Sequence, residues 1–175
     1  MSNSKIENNL FYLFITIVLV LQVYFILINE ITFGGTDNIT HFQIAKYAFK
    51  YPELFLDHWG KPLYTTLSAP FAFFGFRFAQ AFNVIVAILT LFVLYKTAQS
   101  IFAEGALLPV VLTAFAPIYF FLTTSCLTEI LFSFILVSAT YLFIKNRFIF
   151  SAIVLSFIPF VRSEGIVLMP VFATA

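Results

Sequence analysis

The chain has 175 residues, of which 62% are hydrophobic and 10% charged, with 26 phenylalanines and a net charge of +1. Soluble globular domains carry about 25% charged residues, so this composition belongs in a lipid bilayer, and so small a net charge gives no electrostatic case for nucleic acid. The single cysteine, Cys126, cannot form an internal disulfide and says nothing about redox compartment.

The first element is an uncharged apolar run from Leu10 to Asn29. At about 1.5 Å per residue, about 20 residues span roughly 30 Å of hydrocarbon. The run is longer than the core of a secretory signal and lacks small residues at its end, so it is expected to stay as an uncleaved anchor (10–29).

Residues 30–65 are the only sizeable polar stretch. In "TDNITHFQIAKYAFK" Thr36 or Asp37 is suited to cap a helix. At about 100° per residue, Phe42, Ala45, Ala48 and Phe49 share one face of a helix over 38–51. Gln43, Lys46, Tyr47 and Lys50 share the other, which predicts an amphipathic helix on the membrane surface. Asp37 and His41 are four residues apart and lie on one side; Pro52 ends the helix. "LDHWGKPLYTT" follows. Trp59 suits the headgroup level, Gly60 and Pro62 predict a turn, and Lys61 between them sits where a lipid phosphate would lie. The bland readings are a cap for Asp37, a structural imidazole for His41, a headgroup-facing surface for Lys46 and Lys50, and a belt anchor for Trp59. Asp37, Asp57, His41 and His58 offer an oxygen–nitrogen donor set for a divalent metal, but their spacing matches no standard metal motif, and no cofactor is implied.

Beyond the loop, Leu63 to Phe76 is apolar but interrupted by Pro70 and Gly75, which predicts a re-entrant or interfacial helix. Further membrane helices are expected over 77–97, 104–121, 128–144 and 148–172, the last broken near 159–165. Lipid-exposed backbone must bond to itself, so helices are the default, and the fold expected is all-α: a polytopic bundle of about five membrane helices. The basic turns at Lys96 and at Lys145 to Arg147 point to the cytoplasmic side, which leaves residues 30–65 and the turn at 123–127 outside. Glu129 opens the fourth membrane helix at its outer mouth. In "FIPFVRSEGIVLMP", Arg162 and Glu164 fall roughly 22 Å along the fifth. Charges there usually face a cavity or one another, and an arginine at a helix break suits an anion. The bland reading of that pair is an ion pair that closes a bundle. "MPVFATA" ends the sequence inside an apolar pattern, which reads as the front part of a longer chain.

An anchor, an outer loop with an early Asp, then "GKPLYTTLSAPF", "RFAQAFNVIVAILTLFVLYKTAQSIF", "TEILFSFILVSATYLF" and "RSEG" together resemble the N-terminal module of the C-class (GT-C) integral-membrane glycosyltransferases. That family includes protein O-mannosyltransferases and the bacterial aminoarabinose transferase of lipid A. The resemblance covers nearly the whole chain, and the order of the segments carries it. It implies transfer of a sugar from a polyprenyl-phosphate donor to an acceptor hydroxyl at the outer face of a bacterial plasma membrane. The acceptor is a protein, a glycolipid or a polysaccharide. By the resemblance, Asp37 matches the base for the acceptor hydroxyl, Lys61 a basic position beside the donor phosphate, Glu129 an acidic position of the second outer loop, and Arg162 the arginine of an R-x-E-G-like stretch. Asn38 follows Asp37 where many members carry a second acid.

The residues themselves suit that chemistry. A carboxylate that takes a hydroxyl proton as the bond forms gives about 10² to 10⁴ in rate. Fixed cations such as Lys61 or Arg162 stabilise a departing phosphate. Attack from the opposite face inverts the anomeric centre. His41, His58, Glu129 and Glu164 are expected to line the same outer cavity. The competing reading is a non-enzymatic carrier, a lipid-phosphate flippase or transporter. It is weakened by the absence of a sequence repeat and by a carboxylate on the acceptor side that a carrier does not need.

Overall fold

The computed structural model describes residues 3–29 and 35–174, and these form helices and turns with no strand among them. Helix α1 is Asn3–Ile28, α2 Gly35–Tyr47, α3 Pro62–Ala72, α4 Phe76–Ile101, α5 Leu107–Ala114, α6 Pro117–Thr123, α7 Glu129–Ile144, α8 Phe148–Leu155 and α9 Met169–Thr174. Three short 3₁₀ turns, Pro52–Leu56, Ile158–Phe160 and Ser163–Leu168, join them.

Two segments, Lys5–Ile28 and Phe76–Ile101, are helices long and apolar enough to cross a membrane. The remaining apolar helices are shorter: Glu129–Ile144, Phe148–Phe160 and Ser163–Phe172. The segment expected as one helix over 104–121 is two, because Pro117 cannot donate to the helical ladder and holds Ala116 extended at ψ 120°. The segment expected over 148–172 leaves helical geometry after Leu155, and Arg162 is extended at φ −149°, ψ 127°.

Helix α4 is the central post, packed against α1, α3, α5, α6 and α7. Small residues on it, Ala79, Ala87 and Ala98, are buried and let neighbours approach closely. One core joins Phe11, Ile15 and Val18 of α1 to Phe82, Val86 and Leu91 of α4 and Ile130, Leu131 and Ile135 of α7. Near one end of the α1–α4 pair, Phe11 stacks on Tyr95 with ring centroids 4.0 Å apart, and the Tyr95 hydroxyl bonds Asn8 Oδ1 at 2.9 Å. Glu7 Oε1 accepts the Leu107 N–H at 3.0 Å, so a side chain of α1 caps the otherwise unpaired start of α5.

The helix expected over 38–51 is Gly35–Tyr47, and its inward side keeps most of the apolar face read from the sequence: Ala45 and Ala48 are buried and Phe42 packs against the cluster of Ala45, Ala72, Ala79 and Cys126, while Gln43, Tyr47 and Lys50 are exposed. Its buried positions are Asn38, His41 and Ala45, with Ala48 just beyond, whereas Phe49 is exposed and meets Phe55 edge-on. The inward face thus loses Phe49 and gains Asn38 and His41. Those two are drawn in by hydrogen bonding and ring packing under the helix, which hydrophobic periodicity does not register. Because the helix begins at Gly35, Asp37 lies within its first turn, where the dipole favours a carboxylate, and is not the residue preceding the helix.

Candidate functional site

The site begins with a turn. Asp57 Oδ1 accepts the Gly60 N–H at 2.7 Å, closing residues 57–60. Gly60 is buried, and a Cβ there would lie 2.6 Å from Ile44 Cγ2, so only glycine lets this loop press against α2. Its carbonyl accepts the Thr65 hydroxyl at 2.9 Å. Lys61 then takes φ 61°, ψ 108°, a conformation that costs a non-glycine residue on the order of 1–3 kcal/mol. Pro62 starts α3 directly afterwards. Asp57, read from the sequence as one member of a donor set, is therefore spent on the turn.

The second half of the site comes from the loop before α7. It is held by amides from two other helices. Gln80 Nε2 donates to the Thr124 carbonyl at 2.7 Å, and Asn83 Nδ2 donates to the carbonyls of Ser125 and Leu127 at 2.9 and 2.8 Å. Asn38 Oδ1 accepts the Cys126 N–H at 2.6 Å. These bonds satisfy a buried irregular backbone, which would otherwise be costly in an apolar setting. They also fix Glu129, the first residue of α7, opposite α2.

The third part is the break after α8. Arg162 Nη1 reaches Glu129 Oε1 at 2.5 Å and Nη2 reaches Glu164 Oε1 at 3.4 Å. The break therefore returns Arg162 to the level where α7 starts. Gly165 permits this: a Cβ on it would lie 1.8 Å from Ile158 Cγ2. Ser163 Oγ accepts a hydrogen bond from Lys61 Nζ at 3.1 Å, tying the break to the 57–60 turn.

Together these parts form a pocket of about 230 Å³ lined by Asp37, His41, Trp59, Lys61, Leu127, Thr128, Glu129, Arg162 and Glu164. His58 is not among them. It lines a separate hollow of about 190 Å³ with Leu56, Pro62, Pro159, Phe160 and Ser163, and Lys61 is common to both. Within the tight turn the consecutive side chains of His58 and Trp59 diverge, so His58 leaves on the far side of Lys61. The expectation that His58 shares the cavity is corrected accordingly.

Electrostatically the pocket is mixed. Three carboxylates, Asp37, Glu129 and Glu164, face two cations, Lys61 and Arg162. Arg162 is engaged by two of the carboxylates, whereas Lys61 makes no ion pair among the described residues. Asp37 is exposed, with access to solvent. His41 is buried and sits edge-on to Tyr64, ring centroids 5.7 Å apart. Burial holds its imidazole below the ordinary value of 6.5, against the opposing pull of Glu129 and Asp37. His41 Nδ1 and Glu129 Oε2 are buried without a hydrogen-bond partner among the described residues. No group of three His, Cys, Asp or Glu among the described residues is arranged to hold a metal ion.

Gln80, Asn83 and Ser163 are not among the candidate residues of the sequence, and Asn38 enters there only as the neighbour of Asp37. The signal was there for Asn83 and Gln80, amides inside an otherwise apolar helix, which normally mark a bonded partner on a neighbouring segment. Ser163 carried no such signal. Comparison with family models, with curated proteins and with solved structures found no match.

Proposed function

We propose that the protein is part of a multi-pass, GT-C-like glycosyltransferase of the plasma membrane. It would move a sugar from a polyprenyl-phosphate donor to an acceptor hydroxyl at the outer face, with inversion. The observation that carries the reading is the shared pocket: it is lined by an exposed carboxylate, Asp37, and by a lysine, Lys61, that makes no ion pair among the described residues. In this reading Asp37 takes the acceptor proton. Lys61, with the Ser163 hydroxyl beside it, holds the departing phosphate. Arg162 is mainly spoken for by Glu129, so its part is to fix that carboxylate and lend residual positive charge, a lesser role than direct phosphate binding. Trp59 offers a flat apolar face at the rim for a sugar ring. No step requires a metal. Five membrane passes follow if α5–α6 and α8–α9 each act as one broken span, as irregular backbone at membrane depth is tolerated where protein buries it.

The test uses membranes containing the protein, a panel of polyprenyl-phosphate sugars, and release of polyprenyl phosphate as the readout. Asp37→Asn keeps the shape of the side chain but removes the proton acceptor. Turnover is expected to fall by roughly 10² or more with donor binding retained. Near-normal transfer by Asp37→Asn rejects the catalytic role. Translocation of the lipid phosphate without any sugar transfer supports the carrier reading instead.

A further inference from the structure

A second hollow lies between the two helices of membrane-spanning length. It measures about 330 Å³ and is lined by Leu19, Val23, Ile26 and Leu27 of α1 and by Arg77, Phe78, Ala81, Val84 and Ile85 of α4. Ile26 and Val84 are buried and form its floor, with Ala81 half-buried beside them, while Val23, Leu27, Phe78 and Ile85 are exposed along its rims. The small side chain at Ala81 is what leaves the space open. The helices run antiparallel, so Leu27 and Arg77 mark one end and Leu19 and Ile85 the other. Eight residue-to-residue steps at about 1.5 Å each make the groove roughly 12 Å deep, close to the roughly 15 Å of one leaflet in a 30 Å hydrocarbon core.

The lining is almost wholly apolar, so Arg77, its only charged residue, meets the groove with its carbon stem and leaves the guanidinium beyond it; Arg77 is exposed and makes no ion pair among the described residues. By the basic turns, its end lies in the outer leaflet. A groove of leaflet depth with a cation at headgroup level matches one amphiphile. We propose that it holds an anionic phospholipid of the outer leaflet, its phosphate on Arg77 and an acyl chain over Ala81. None of its lining residues lines the pocket of Asp37 and Lys61, which suits a resident lipid better than a sugar donor. Lipid tails are as apolar as the groove, so selection rests on the arginine and the cleft shape. The inference uses the membrane reading above but not the transfer chemistry.

The test reconstitutes the protein in phosphatidylcholine vesicles doped with phosphatidylglycerol bearing a diazirine midway along one chain. Crosslinks are expected at 19–27 and 78–85. They should fall about fivefold in Arg77→Gln, the loss of one cation–headgroup contact, and persist in Arg77→Lys. Ala81→Phe, which fills the floor and leaves the charge, should also abolish them; circular dichroism reports folding of each variant. Crosslinks spread evenly along both helices, or unchanged in both Arg77→Gln and Ala81→Phe, overturn the proposal. So does displacement of the probe by equimolar polyprenyl phosphate, which would assign the groove to a donor lipid.

Discussion

At the scale of single residues, the site depends on side chains whose neighbours dictate their state. His41 is buried, and burial lowers its pKa from 6.5. Its unfolded form therefore binds a proton more readily than its folded form. The contribution of neutral His41 to stability is complete above about pH 6.5 and is lost as pH falls through the lowered folded value. Thermal unfolding followed by Trp59 fluorescence should show the midpoint dropping on acidification below pH 6.5, and His41→Gln should flatten that dependence. Parallel pH profiles for both proteins would contradict it. Gly165 is the sharper steric case, since a Cβ would meet Ile158 Cγ2 at 1.8 Å. Gly165→Ala is expected to cost about 2 kcal/mol or more by overpacking. Combining it with Ile158→Ala, which removes the clashing methyl, should cost less than the sum of the two changes in a double-mutant cycle.

At the scale of elements, the loop before α7 behaves as a clasped hinge. Asn83 alone supplies hydrogen bonds to two of its carbonyls, 2.9 and 2.8 Å away. Removing that amide leaves both carbonyls short of a donor, a penalty of about 1–3 kcal/mol. Asn83→Ala should lower the unfolding midpoint by that measure. It should also weaken the Asp37 pocket, because Glu129 begins the helix that the clasp positions. If Asn83→Ala lowers stability while binding at the pocket stays at the wild-type level, the loop does not set Glu129. The break after α8 is the counterpart on the other side. Pro159 and the extended Arg162 end regular helix there, and the Arg162–Glu129 pair closes the gap. Such a half-buried pair contributes modestly to stability, so its effect is on geometry.

At the scale of the whole molecule, α4 holds the bundle together and the pocket collects at one end of it. If 57–61 is outside and 145–147 inside, single cysteines at those two places must react from opposite sides of the membrane. Cys126 is fully buried, so the wild-type thiol should give a low background with a membrane-impermeant maleimide. His58→Cys, exposed in its own hollow, should label from outside, and Asn146→Cys only after the membrane is permeabilised. Labelling of both from the same side would refute the arrangement of spans.

Composition and long apolar runs by themselves determined the helical class and the two longest apolar helices, because helix formation in an apolar chain is a local requirement of the backbone. Spacing along the chain also singled out Asp37, His41, Lys61, Glu129, Arg162 and Glu164, since charged groups in such a sequence are few and costly. What the sequence left open was decided by contacts between residues far apart. The place of Asn38 on the inward face of α2 turned on its bond to Cys126, 88 positions away. The exclusion of His58 turned on a four-residue bend, and the partner of Arg162 turned on how far a broken helix folds back. Hydrophobic periodicity reports only which side of a helix is greasy. A buried amide, a turn or an ion pair is satisfied by whatever lies across the gap, and only the tertiary structure supplies that partner.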